Sequence, residues 1–271
     1  MSGSSHPLKA RLRRLLPERI LYALRWLRDP FLLRWLPAEK WPPWIAAARV
    51  IRPGDAVVDV GANIGFVAKI FSEMVGPTGL VVAIEPVPAT YRLLVHNLKW
   101  LGIRNVVALC RAAGAERETV DMVMPTREDG HVDIYLSRVV KSGECVSRGH
   151  RLKVPAKPLD DLVAEARVDR PISLVKIDVE GSEVDVIRGA RRLLETHRPA
   201  LVVETSGALC EADSNLGRLH RLLVDLGYRS YRLQESALTP LPVDQSLSED
   251  VLFLCRPPAT CRGIHSSSGR G

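Results

Sequence analysis

Residues 59–65 read Asp59-Val-Gly-Ala-Asn-Ile-Gly65, and their neighbours decide what that string is for. Before it, Ala56-Val-Val-Asp-Val60 is a short β-branched run, the mark of a strand covered on both faces. After it, residues 66–75 read as a helix. Between strand and helix, glycines serve a ligand. Gly61 lets the backbone turn where a side chain would collide, and Gly65 permits close approach. The start of the helix adds unpaired N–H groups beside a bound molecule.

Working outward, strands are expected over residues 80–84, 105–110, 173–177, 200–203, 230–233 and 251–255. Helices are expected over 88–101, 182–197 and 215–226. With the first strand this gives an α/β, Rossmann-like, doubly wound, seven-stranded and mostly parallel sheet. That domain is expected over residues 47–256. Residues 115–160 break the alternation and read as a β insert near the mouth of the site, with strands at 121–124, 132–136 and 151–154. Residues 1–46 form a basic tail and a helical extension. Its helix, over 18–28, carries Ile20, Leu21, Leu24 and Leu27 as a stripe, and a second apolar patch follows Pro30. The stripe is expected to dock on the chain's own domain, although a basic helix with tryptophans also suits peripheral membrane contact. Residues 257–271 have the composition of a disordered tail.

The 271 residues are 46% hydrophobic and 25% charged, enough for one sizeable core. A net charge of +7 suits nucleic acid, anionic lipid or an acidic substrate and decides among none of them. The five cysteines are scattered, without Cys-x-x-Cys pairs, which suits a reducing compartment better than a disulfide framework or a zinc site. No apolar run approaches the roughly 20 residues of a bilayer span. The first residues lack the apolar core of a secretory signal, so a cytoplasmic location is expected.

Two acidic features accompany the loop. Glu85, in Ile84-Glu85-Pro86, ends the second strand, where a carboxylate can accept from both hydroxyls of a ribose. The loop lacks the middle glycine of a dinucleotide fingerprint, and Asp59 would repel a pyrophosphate. That pairing favours a sulfonium donor, S-adenosylmethionine, over a nicotinamide dinucleotide. The second feature is Lys176-Ile-Asp-Val-Glu-Gly-Ser-Glu183. Lys176 on a central strand needs a partner, and Asp178 lies on the same strand face. Asp178, Glu180 and Lys176 are the catalytic candidates. Ser182 and Asp185 resemble a capping box, which makes Glu183 and Asp185 first-turn acids.

Asp59-Val-Gly-Ala-Asn-Ile-Gly65, Ile84-Glu85-Pro86, Leu159-Asp-Asp161 and Lys176-Ile-Asp-Val-Glu-Gly-Ser-Glu183, in that order, resemble the FkbM family of methyltransferases over roughly residues 50–205. The resemblance implies the class I methyltransferase fold and S-adenosylmethionine as donor. It also implies O-methylation of a hydroxyl on a sugar, polyketide or related metabolite, hence a small-molecule or glycan acceptor. The implied cofactor-binding set is Asp59, Gly61, Ala62, Asn63, Gly65, Glu85 and Pro86, with Ala113 on the loop that passes the adenine.

The reaction is then in-line attack of a substrate oxygen on the sulfonium methyl. A carboxylate cannot first ionise an alcohol, since the gap of about 11 pKa units is roughly 16 kcal/mol. It can accept the proton late, in the transition state. A divalent metal such as Mg²⁺ on Asp178, Glu180 or Glu204 is a less favoured route, because no histidine is placed to join them. Competing readings are a methyltransferase of RNA or protein side chains and a non-catalytic binding module. Nucleic acid is disfavoured by the lack of an Asn/Asp-Pro-Pro-aromatic stretch after the fourth strand.

Overall fold

The computed structural model describes residues 17–35, 50–126, 131–133, 136–140, 149–234 and 237–255. Its chain runs through α1 (Glu18–Arg34), β1 (Ala56–Val60), α2 (Phe66–Val75), β2 (Leu80–Ile84), α3 (Pro88–Trp100) and β3 (Val106–Leu109). A small β region follows: β4 (Ala112–Gly114), β5 (Glu118–Met124), β6 (Arg138–Val139) and β7 (His150–Pro158). Then come α4 (Leu159–Glu165), β8 (Ile172–Ile177), α5 (Glu183–Arg188), α6 (Arg191–His197), β9 (Ala200–Gly207) and α7 (Asn215–Val224). The described chain closes with β10 (Arg229–Gln234), β11 (Ala237–Pro240) and β12 (Leu247–Leu254).

The main sheet has the order β11-β10-β12-β9-β8-β1-β2-β3. Its five strands from β3 to β9 are parallel, and β12, β10 and β11 add antiparallel pairs. The expected seven strands are all present. An eighth, β11, extends the edge through Leu238 and Thr239 opposite Leu233 and Arg232. Successive residues of β1 feed opposite faces. Val57 packs with Phe71 and Ile70 of α2, while Val58 and Val60 join the core of Leu159, Ile187 and Leu219. All five residues of β1 are buried, and each large apolar side chain so placed is worth about 1.5–3 kcal/mol. Strand order reverses between β1 and β8, so a crevice opens there at the strands' carboxyl ends.

Three expectations change. The single helix over 182–197 is two, α5 and α6, parted at Gly189. A Cβ there would collide with the Gly114 carbonyl, and the Asp160 carboxylate caps the new helix by accepting from the N–H of Arg192 and Leu193, at 2.9 and 2.8 Å. The insert forms its own sheet, β4-β7-β5-β6, and of the strand expected at 132–136 only residues 132, 133 and 136 are described, none of them in a named strand. Val132 makes an isolated bridge to Thr126, residues 134–135 lie outside the described residues, and the short strand is at 138–139.

The N-terminal helix does not stop before Pro30 but runs through it. Pro30 cannot donate to the Trp26 carbonyl one turn back. His96 of α3 supplies the missing donor, its Nε2 lying 2.8 Å from that oxygen. His96 is therefore a partner of the extension and no idle surface residue. Tyr22 donates to the Ala89 carbonyl at 2.8 Å, and Trp26 lies on His96 with ring centroids 4.4 Å apart. The docked face is thus Tyr22, Trp26, Asp29 and Leu33, while of the expected stripe Ile20, Leu24 and Leu27 face outward and Leu21 is half-buried. The expectations for the basic tail at 1–16 and the C-terminal tail at 257–271 lie outside the described residues.

Candidate active site

The cleft at the reversal point encloses about 620 Å³, open mouth included. Its floor is made by strand ends and their loops: Val60, Gly61 and Asn63 after β1, and Ile84, Glu85 and Pro86 after β2. Asp178, Val179, Glu180 and Ser182 after β8 make one side. Ala112 and Ala113 of β4 stand with Met122, Ser137 and Val139 on the other.

The glycine loop is held by several backbone constraints. Gly61 has φ +85°, and a Cβ there would run into the Asp178 carbonyl, so this glycine exists to let the β8 loop approach. Gly65 has φ +93°, and its Cβ would come within 2.7 Å of Leu94 on α3. Asn97, buried on α3, donates to the Ile64 carbonyl at 2.8 Å. Asn63 sits at φ 49°, a left-handed conformation that asparagine tolerates better than most residues. Its N–H donates to Glu85 Oε2 at 2.9 Å, while the Val87 N–H donates to Oε1 at 2.9 Å. Glu85 is thus fixed in place with one lone pair on each oxygen still available. Burial pushes its pKa up to about 7, against the pull of those two amides.

Beneath the floor lies a charged layer. Asp59 pairs in register with Lys176 across the β1–β8 ladder, and Lys176 Nζ is 2.7 Å from Asp178 Oδ2. Burial raises Asp59 to about 6, with Lys176 pulling the other way. For Lys176, burial opposes the charge, but Asp59, Asp178 and Asp250 together outweigh it and hold the ammonium above its ordinary range. Glu204, on β9 beside β8, is raised to about 7 by burial and by Asp178, Asp250 and Glu180. Burial and the neighbouring Asp178 and Glu183 also raise Glu180.

Of the residues singled out in the sequence, Gly61, Asn63, Glu85, Pro86, Ala113, Asp178 and Glu180 line one cleft. Asp59, Ala62, Gly65 and Lys176 do not. They lie behind the lining: Asp59 and Ala62 are buried, Lys176 is bonded to Asp178, and Gly65 shapes the start of α2. The expectation that Asp59 edges the crevice is corrected accordingly. Ser182 occupies the N-cap position of α5, yet its side chain makes no capping bond, and the residue lines the cleft. Glu183 is a buried brace: it accepts from the Gly181 N–H at 2.8 Å and from Asn215 Nδ2 at 2.5 Å. Met122, Ser137 and Val139 were not singled out. For Met122 the signal was available, since Val120, Met122 and Met124 alternate along β5 and share a small core.

Among the described residues the lining contains three carboxylates, Glu85, Asp178 and Glu180, and no Lys, Arg or His. A site of that charge fits a sulfonium carrying an ammonium group and disfavours a diphosphate. Glu85 offers acceptors to a ribose diol, and Ala112 and Ala113 offer a small apolar wall for a base. The residues present therefore fit S-adenosylmethionine. Among the described residues no group of three His, Cys, Asp or Glu converges as a metal-ligand set.

Comparison with known proteins agrees. A family profile described as Methyltransferase FkbM domain matches residues 59–230. "Methyltransferase 1" of Beauveria bassiana is 25% identical over 187 residues, covering 65% of this chain and 73% of that protein. "31-O-demethyl-FK506 methyltransferase FkbM" of Streptomyces tacrolimicus is 30% identical over 167 residues, covering 51% and 60%. Among solved structures, methyltransferase FkbM from Methylobacillus flagellatus KT superposes with a TM-score of 0.47 at 18% identity, covering 79% of this chain and 50% of that one. The chain belongs to the FkbM family of S-adenosylmethionine-dependent methyltransferases.

Proposed function

We propose that the enzyme transfers the donor methyl to a hydroxyl oxygen of a sugar, polyketide or related metabolite, and that Asp178 and Glu180 serve the acceptor. The observation that carries this reading is the lining itself: carboxylates with no cation among the described residues, beside Met122, Ser137 and Val139. Such a wall suits an uncharged, partly apolar acceptor better than the phosphates of RNA. The Streptomyces tacrolimicus relative, named for a 31-O-demethyl substrate, adds support for oxygen as the atom methylated.

When bound, S-adenosylmethionine supplies an electrophilic methyl on a positive sulfur. The chain's part is to hold and align. Glu85 accepts from the ribose hydroxyls, which fixes the donor's direction. Asp178 or Glu180 accepts the acceptor's proton as the new C–O bond forms, a role worth about 10²–10⁴ in rate. Lys176 does not line the cleft; its ion pair holds the Asp178 carboxylate in place. It is a positioning residue.

The test offers labelled donor to polyhydroxylated glycosides and macrolides, with RNA and protein as separate acceptors. Label in an ether of a metabolite is expected. Asp178→Asn should lower turnover by about 10²–10⁴ while leaving donor affinity within a few-fold. Label confined to RNA or protein, or a native protein that fails to bind the donor, defeats the proposal.

A further inference from the structure

The outer face of α1 is an apolar stripe without a partner in the described chain. Ile20, Leu24, Leu27, Phe31 and Trp35 are 42%, 48%, 78%, 58% and 67% exposed. At 3.6 residues per turn these positions fall within a sector of about 80°. The stripe is no by-product of a buried helix, because the docked face is a different one, held by Tyr22, Trp26 and Leu33. Arg34 borders the stripe on one side; on the other Arg28 is exposed but gives its guanidinium to the buried Asp29 carboxylate at 2.6 Å, and Leu32, 52% exposed, widens the stripe beyond it. In sequence the helix is preceded by Lys9, Arg11, Arg13 and Arg14.

We infer that this face docks on an anionic lipid bilayer. An apolar stripe about four turns long with a tryptophan at its end fits the boundary between headgroups and acyl chains. Arg34 at its border can lay its stem along that boundary and hold its charge among anionic headgroups, and the basic run that precedes the helix in sequence adds to the attraction. A second copy of the chain fits less well. A two-helix seam needs opposite charges across it, and symmetry would set Arg28 and Arg34 against like charge. The helix that carries this face is anchored, by its opposite side, near the chemistry. Tyr22 touches Ala89 in the first turn of α3, which starts three residues after Glu85, at the edge where the cleft opens. A bilayer engaged by α1 lies on the flank beside that mouth.

The test is co-sedimentation of the full chain with vesicles of phosphatidylcholine alone and of phosphatidylcholine with about one third phosphatidylglycerol. The native protein should partition at least about tenfold more strongly to the anionic vesicles, and salt near 0.5 M should weaken that preference. Leu27→Glu with Phe31→Glu, both at exposed positions, should lower partitioning at least about tenfold and leave S-adenosylhomocysteine affinity unchanged. Retained partitioning in that variant overturns the inference. So does a native protein that ignores both vesicles, and equally one that sediments as a dimer which the same two changes dissociate.

Discussion

On its donor side the cleft is made of strand ends, and every charge there answers to a neighbour fixed by register. Asp59 faces Lys176 across the β1–β8 ladder, Lys176 reaches Asp178, and Glu85 is gripped by two backbone amides. On its far side the wall is Met122, Ser137 and Val139, from a separate small sheet whose core of Val87, Ala112, Met122, Val154 and Ala156 is independent of the main one. The first wall cannot vary without disturbing the central sheet. The second can be rebuilt residue by residue. A donor common to a family belongs on the first, and an acceptor particular to one member belongs on the second.

The sharpest way to break that contrast is at Lys176. Lys176→Met removes the one cation from a layer that keeps Asp59 fully buried and Asp178 partly so. Uncompensated buried charge costs about 3–5 kcal/mol, which for a domain of this size lowers the melting temperature by about 10 °C. The loss should shrink near pH 5, because Asp59, already raised to about 6 by burial, then takes up a proton. A melting curve indifferent to both the substitution and pH would mean the layer is wet, and the contrast would fail.

A second measurement uses Glu85. Burial lifts it from 4.5 to about 7, so the folded protein holds a proton that an unfolded chain releases above about pH 4.5. The stability due to that proton is complete below 4.5 and is lost as pH rises through 7. Donor binding runs the opposite way, since a ribose diol donates to the ionised carboxylate. Calorimetry with S-adenosylmethionine should show affinity rising about tenfold from pH 6 to pH 8, and Glu85→Gln should flatten the profile. A native profile already flat would place the ribose elsewhere.

The donor wall was legible in the sequence because its causes are local. A β-branched run, a glycine loop and an acid at the next strand's end lie within 30 residues, and covalent order forces them together. Even so, Asp59, expected in the cofactor-binding set, lies behind the lining. Its place beside Lys176 is set by pairing with a strand more than a hundred residues away, which no local pattern reveals. Pro30 misled in a related way: it reads as a helix stop unless one knows that His96 will take up the freed carbonyl. The acceptor wall was hardest to read. Ser137 and Val139 follow a stretch with no clear period, and the short strand at 138–139 has no pattern of its own to announce it.

The smallest effect is the most discriminating. Val139 is half-buried on the two-residue strand β6, paired with Met122, lines the cleft, and packs against the small core that includes Val87. Val139→Ala removes two methyl groups from a site that can relax, so about 1 kcal/mol of stability is expected to go, or a melting shift of about 2–4 °C. Because Asn63 and Val87 grip Glu85 through backbone amides, which the substitution leaves in place, S-adenosylhomocysteine affinity should stay within about twofold. Acceptor choice should change instead: relative kcat/KM across a panel of hydroxylated acceptors should shift by about three- to tenfold toward bulkier members, the scale set by one or two methylenes in an apolar pocket. If the donor affinity fell and the acceptor ranking held, the two walls would be exchanging roles, and the small sheet would belong to the donor's site.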